Sequence, residues 1–376
     1  APQKALQWIC RAAEQGHAHA RHFLRTTSPD FIPTGEDLYQ KGKYFFEQKE
    51  YEEAFLWLQR AGNEGHAEAQ NSLGLLCDYG KGCKRDPLQA FHWYQKAKDH
   101  PQALFNIGML YFLGEGVAQD DQQSFNYFER SAKENETRSQ VFLGILYENG
   151  KGVTQDLTKA VNCYRKAAWQ GDVFGRFHLA RMYYHGKGVP ADHSQSLNWY
   201  HKAQGYVLAQ YNLGRMYLNG DGIKQNLKKA IHWFEKAAEQ GHDYAQFSLG
   251  KIYNTDKNLD EAKKCFLLAA EQGNHLAQYH LGILLENLGC EKDSAHWYRQ
   301  AAEQGNLQAA QALGRMYFVG KGVEKDFEEA AKWYRKTSQM KSQDDGTESS
   351  DILWLRKAAG KGHSRAQNHL GELYER

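Results

Sequence analysis

The sequence lacks any run of about 18 consecutive apolar residues, and its mean hydropathy is −0.76. No segment is therefore expected to cross a bilayer. It also lacks an excess of charge of either sign. The 47 Lys and Arg stand against 45 Asp and Glu, which leaves little to attract a phosphate backbone or an anionic membrane surface. A nucleic-acid partner and membrane insertion are not expected. Cysteine is scarce as well: Cys10, Cys77, Cys83, Cys163, Cys265 and Cys290 are too few and too irregularly placed for a disulfide framework in 376 residues. They read as small apolar fillers in a reduced protein. Only Cys77 and Cys83 are close enough in sequence to pair, should they face each other across a turn. Absent too are a serine elbow, a Cys/His pair and a carboxylate pair outside the helix-surface pattern. No catalytic residue, cofactor or metal is assigned.

What the chain has in abundance is itself. "LGRMYFVGKGVEKDFEEAAKWYRK" (Leu313 to Lys336) repeats, with changes, "LGRMYLNGDGIKQNLKKAIHWFEK" (Leu213 to Lys236). The glycine of Leu-Gly, or its equivalent, recurs at Gly74, Gly108, Gly144, Gly214, Gly250, Gly282 and Gly314, with Ala180 standing in once, in steps of 34, 36, 36, 34, 36, 32 and 32 residues. A period in this range marks a repeated supersecondary unit. Each unit opens with a helical pattern, as in "AEAQNSLGLLCDYG" (Ala67 to Gly80), and stops at a glycine pair such as Gly80/Gly82 or Gly320/Gly322. Four residues on stands Asp86, Asp120, Asp156, Asp192, Asn226 or Asp326, each able to cap a second helix. That helix carries an aromatic pair among small residues, as in "AFHWYQKA" and "AIHWFEKA". Glycine and alanine let the two helices approach closely, and the aromatic pair is expected to fill the gap to the next unit. No unit can bury such a face alone, so the units stack.

Two features invite chemistry and are read as architecture. The Gly-x-Gly loops follow a helix and lack the preceding strand of a phosphate cradle, so they read as helix stop and turn. The 17 histidines fall mostly at two repeat positions. His92, His232 and His296 precede the second-helix tryptophan, and His17, His66, His242 and His363 stand at unit starts, where Asp172, Asn274 and Asn306 stand in other units. Capping is the expected role there. Only His17, His19 and His22 form a local cluster, and it is not assigned a metal.

The stretch "AQYNLGRMYLNGDGIKQN…AIHWFEKAAEQGH" (Ala209 to His242) resembles the Sel-one-like repeat (SLR) family, a relative of the tetratricopeptide repeats. The match recurs about eight times between Ala67 and Ser338. The resemblance implies an all-α fold, a right-handed α/α superhelical solenoid of stacked antiparallel helix pairs whose first helices line a concave groove. The expected organisation is a partial unit at 1–24, a linker at 25–37, a tetratricopeptide-like unit at 38–66, eight SLR units at 67–338, a mobile polar loop at 339–350, and an extra second helix with a terminal first helix at 351–376. Units starting at Asp243 and His275 lose the glycine-pair loop. Both ends fall mid-unit, and the chain starts without methionine, so a fragment of a longer protein is expected.

Within that frame, the informative variation lies on the first helix. Three residues before the Leu-Gly glycine the row runs Asn71, Phe105, Val141, Phe177, Tyr211, Phe247, Tyr279, Gln311. One residue after, it runs Leu75, Met109, Ile145, Arg181, Arg215, Lys251, Ile283, Arg315. Four after, it runs Asp78, Phe112, Glu148, Tyr184, Leu218, Asn254, Glu286, Phe318. These spacings share one helix face. The face that lines the groove in tetratricopeptide repeats then places Phe105, Met109, Phe112, Phe177, Arg181, Tyr184, Tyr211, Arg215, Phe247, Lys251, Tyr279 and Arg315 against a partner. Aromatics beside a basic strip suit a peptide with acidic and apolar side chains. The bland alternative is that the aromatics only pack one first helix against its neighbour. The expected function is a non-catalytic interaction scaffold or adaptor for a protein or peptide. Two alternatives stand beside it. One is a small-molecule, β-lactam-type binder or hydrolase, as suggested for cysteine-rich SLR proteins, although their regular cysteine pairs are missing here. The other is an exported bacterial factor that engages host proteins, with a periplasmic or exported location favoured over a cytoplasmic one.

Overall fold

The start and stop residues do what their spacing predicts. The Asp86, Asp120, Asp156, Asp192 and Asn226 carboxyl or amide oxygens each accept the backbone N–H three residues on, at 2.9 Å. Gly80, Gly114, Gly150, Gly186, Gly220 and Gly320 end the first helix of their units in the left-handed region. A computed structural model describes residues 34–341, with side chains described through Thr337. The partial unit at 1–24, the clustered His17, His19 and His22, and the helices expected at 351–376 lie outside the described residues.

The chain divides into two compact units, 1–203 and 204–376. The first contains five described hairpins: α1 (Gly35–Glu47) with α2 (Tyr51–Asn63), α3 (Ala67–Tyr79) with α4 (Pro87–Lys96), α5 (Pro101–Leu113) with α6 (Asp121–Lys133), α7 (Thr137–Asn149) with α8 (Leu157–Trp169), and α9 (Val173–His185) with α10 (His193–Lys202). The second contains four: α11 (Val207–Asn219) with α12 (Leu227–Glu239), α13 (Asp243–Thr255) with α14 (Leu259–Glu271), α15 (His275–Asn287) with α16 (Glu291–Glu303), and α17 (Leu307–Val319) with α18 (Phe327–Lys341). All regular structure among the described residues is helical. Within each unit the two helices of a hairpin pack on each other, and the second helix packs on the first helix of the next hairpin, the serial order of an all-α solenoid of stacked helix pairs. Helix α1 starts inside the interval read as linker, with a reciprocal cap in which Thr34 Oγ1 accepts from the Asp37 N–H and Asp37 accepts from the Thr34 N–H. Helix α18 continues to Lys341, just into the interval read as a loop.

The repeated glycine has a steric cause. A Cβ on Gly214 would lie 2.6 Å from the Phe234 ring, and one on Gly250 or Gly282 would meet Phe266 or Tyr298 at the same distance. The second aromatic of each pair thus closes its own hairpin over the glycine instead of filling the gap to the next unit. Tyr94, Tyr164, Tyr298, Phe128, Phe234 and Phe266 are the largest fully buried side chains. Trp93, first of its pair, lies against Gly62 of the preceding hairpin.

The second loop glycine does more than turn the chain. A Cβ on Gly82, Gly116, Gly152, Gly188 or Gly322 would run into the backbone that opens the second helix of the preceding hairpin, at Tyr51, Pro87, Asp121, Leu157 or Glu291. The loop is therefore a contact between hairpins. Where it is missing, short turns replace it, with Lys257 (φ 60°) between α13 and α14 and Gly289 (φ 76°) between α15 and α16.

Candidate functional site

The three rows of the first helices fall into distinct environments. In the first unit, Phe105 is buried and packs on Phe128 and Phe142, with centroids 5.6 and 5.7 Å away. Phe112 meets Phe142 at 5.8 Å, and Met109 packs against the same cluster while half-buried. Phe177 is buried against Tyr200 and His178. Tyr184 stacks on His193 at 4.9 Å. Phe105 and Phe177 thus support the face from beneath, whereas Met109, Phe112 and Tyr184 keep part of their surface on it.

Arg181 is not an unpaired cation. Its guanidinium donates to both carboxylate oxygens of Glu148, at 2.7 and 2.6 Å, and the Tyr164 hydroxyl donates to the same carboxylate at 2.8 Å. Glu148 is only 9% exposed. The three side chains bind α7, α8 and α9 together. His178, stacked on Tyr164 at 4.8 Å, is pushed down to about 4, first by burial and then by the Arg181 charge.

In the second unit the cations divide. Arg315 repeats the Arg181 arrangement, donating to both oxygens of Glu286 at 3.1 Å, while Tyr298 donates to Glu286 at 3.0 Å. Lys321 adds a third charge at 3.5 Å. Arg215 and Lys251 are exposed, and among the described residues neither forms an ion pair. Each stands over an aromatic of its own helix, Arg215 5.9 Å from the Tyr211 centroid and Lys251 5.8 Å from that of Phe247. Tyr211 and Phe247 are half-buried. Burial pushes the Tyr211 phenol up, with Arg215 opposing. Between α15 and α17 a cavity of about 620 Å³ opens, lined among others by Tyr279, Ile283, Glu286, Gln311, Arg315 and Lys321. Members of all three rows meet there.

The rows contain Glu148 and Glu286 but do not by themselves show that these carboxylates hold Arg181 and Arg315, or that Tyr164 and Tyr298 join them. The signal was present: a Glu in the row four after the glycine is followed, one unit on, by an Arg in the row one after it.

Three described histidines at unit starts cap helices. His66, His100 and His242 accept the N–H of Ala69, Ala103 and Ala245 through Nδ1 at 3.3, 3.3 and 3.1 Å, while His92, His232 and His296 are exposed. Cys77 and Cys83 are free thiols with sulfurs 4.0 Å apart; burial and the Cys83 neighbour push Cys77 up to about 12. Among the described residues no group of three or more His, Cys, Asp or Glu gathers to hold a metal ion, and no helix is long and apolar enough to cross a membrane.

Stacked hairpins, most of them with a glycine under a second-helix aromatic, define an α/α repeat protein. The Sel1 repeat matches the chain over residues 2–17, 34–66, 67–100, 101–136, 137–172, 174–203, 207–242, 243–274, 275–306 and 307–342. The chain belongs to the Sel1 repeat family. The crystal structure of a protective antigen present in uropathogenic Escherichia coli strains, displaying an SLR fold, is similar to it with TM-score 0.67 and 30% identity over 98% of this chain and 82% of that one. A Sel1 repeat protein from Oxalobacter formigenes is similar over 62% of this chain and 99% of its own, with TM-score 0.59 and 30% identity. No curated protein matches the chain. Sel1 repeat proteins are generally protein-interaction scaffolds and are typically non-catalytic.

Proposed function

We propose that this chain is a non-catalytic scaffold that holds a protein or peptide on the faces of its first helices. The observation that carries the reading is the pair Arg215 and Lys251, exposed, without a carboxylate partner among the described residues, and each set beside a half-buried aromatic. Unpaired cations next to aromatic faces suit an extended peptide with acidic and apolar side chains. The cavity beside Tyr279 and Arg315 supplies a recess for a side chain of that peptide. In the first unit, Met109, Phe112 and Tyr184 offer apolar contact over the support of Phe105 and Phe177.

Charge reversal at Arg215 and Lys251 together is expected to weaken capture of a fluorescent peptide rich in Glu and Phe at least tenfold by polarisation, with an unchanged helical spectrum. Undiminished capture by the folded variant rejects the reading. Arg181 is a poor choice for this test, because its reversal would set a second carboxylate against the buried Glu148 and confuse unfolding with lost binding. The Escherichia coli relative is a protective antigen, which favours an exported setting for this chain too. Recovery from the periplasm or medium of the native host supports that setting, and confinement to the cytoplasm rejects it.

A further inference from the structure

Three hairpins place a second-helix tyrosine with an acidic residue four places after the Leu-Gly glycine: Tyr94 with Asp78, Tyr164 with Glu148, and Tyr298 with Glu286. Two of the three are complete. Tyr164 and Tyr298 donate to their carboxylates, and Arg181 and Arg315, from the next first helix, close the charge. The third is not. The Tyr94 hydroxyl is buried and has no hydrogen-bond partner, and the Asp78 carboxylate makes no ion pair or hydrogen bond among the described residues. Asp is one methylene shorter than Glu, and the residue that corresponds to Arg181 and Arg315 is Met109.

The cations nearby are committed. Arg85 donates to the Asp78 backbone oxygen at 2.8 Å and to the Glu115 carboxylate. Arg138 stacks on Phe105 at 4.2 Å and donates to Glu136 at 2.7 Å. Burial and the Glu115 charge push the Asp78 carboxyl up, with Arg85 opposing, as for a carboxylate without its own counter-ion.

We propose that the face of α3 and α5 takes an arginine side chain of a peptide partner at Asp78, where the guanidinium fills the place that Arg181 and Arg315 fill for Glu148 and Glu286. The shorter Asp leaves room for the incoming group, and Met109, half-buried on α5, supplies apolar contact for the flat face of a guanidinium, while the Phe112 ring already carries Lys151 5.8 Å from its centroid. The inference rests on the reading that partners lie on first-helix faces. It differs in ligand sign from the site at Arg215 and Lys251.

The test uses the full chain and the peptide fluoresceinyl-Ala-Phe-Ala-Arg-Ala-amide, against its citrulline counterpart, which keeps the shape and loses the charge. Citrulline is expected to weaken binding at least tenfold, and Asp78→Asn to do the same to the arginine peptide. Met109→Arg, which supplies the cation from within, is expected to abolish peptide binding and raise the melting temperature. Equal binding of the two peptides overturns the proposal with an unaltered protein, whatever the variants do to folding. Undiminished binding by folded Asp78→Asn overturns it as well. The Glu- and Phe-rich peptide measured alongside separates the causes: if it binds through Arg215 and Lys251 while arginine and citrulline do not differ, only the Asp78 site falls, and if neither peptide binds, the first-helix reading falls with it.

Discussion

At the residue scale the recurring Leu-Gly glycine tolerates little. Even one methyl at Gly214 would sit 2.6 Å from the Phe234 ring, and a packed interior yields to overpacking only by moving helices or distorting rotamers. Gly214→Ala is expected to cost about 1 to 3 kcal/mol, read as a lowered urea midpoint; an unchanged midpoint would show that the ring has slack. The thiols give a second forecast. Exposed Cys290 should react with iodoacetamide first and Cys77, pushed up to about 12 by burial, last among the described cysteines, because the thiolate is the nucleophile. Peptide mapping at short times reads that order. Glycine and aromatic were legible in the sequence as a repeat. Which of the two aromatics covers the glycine was not, because both are large and apolar and only the helix rotation tells them apart.

At the element scale, carboxylates tie successive hairpins and histidines start them. Glu148→Ala leaves the Tyr164 hydroxyl and the Arg181 guanidinium without their acceptor. A loss of about 1 to 3 kcal/mol follows for the buried hydroxyl alone. Glu286→Ala should cost less, since its Arg315 partner is half-exposed and solvent takes over part of the role. Thermal melts of the two variants should rank in that order. The histidines set a pH window. His100, His178, His242 and His280 are all held below the ordinary value of 6.5, chiefly by burial, with His178 at about 4. The folded protein therefore binds fewer protons than the unfolded chain between those values, so stability is full above about 6.5 and falls as the pH drops toward 4. For His100 and His242 protonation also removes the lone pair that accepts the Ala103 or Ala245 N–H. Melting temperatures between pH 7.5 and 4.5 should decline, and His242→Asn, which keeps a capping oxygen, should flatten part of the decline. The caps at His66 and His242 were legible from equivalent Asp and Asn residues. The Glu–Arg ties were not, because their partners come from different rows about 30 residues apart, and a row read alone shows only a charge facing solvent. Arg181 looked like a partner-seeking cation for that reason.

At the scale of the whole molecule, contacts run between sequence neighbours within each unit, so the described residues share no single core whose loss unfolds everything. Unfolding should depart from two-state behaviour. Tryptophan fluorescence and far-ultraviolet circular dichroism are expected to give urea curves that do not coincide, and superimposable curves would point to stronger coupling than nearest-neighbour packing supplies. The repeat period and the family were written plainly in the sequence. The rows of aromatic and basic residues on the first helices could be read from the sequence, but the depth of each aromatic could not, since the same ring at the same row position is buried at Phe105 and half-buried at Phe247.

The second glycine of the loops at Gly82, Gly116, Gly152, Gly188 and Gly322 carries a consequence for how such a chain can grow. Its contact with the preceding hairpin is made to main-chain atoms, which every amino acid shares, so the joint asks nothing of the neighbour's side chains beyond a helix start. Copying one unit in the gene and inserting it beside its parent would produce a seam that already fits. Lengthening by duplication can then precede, and need not wait for, any adaptation of the new surface.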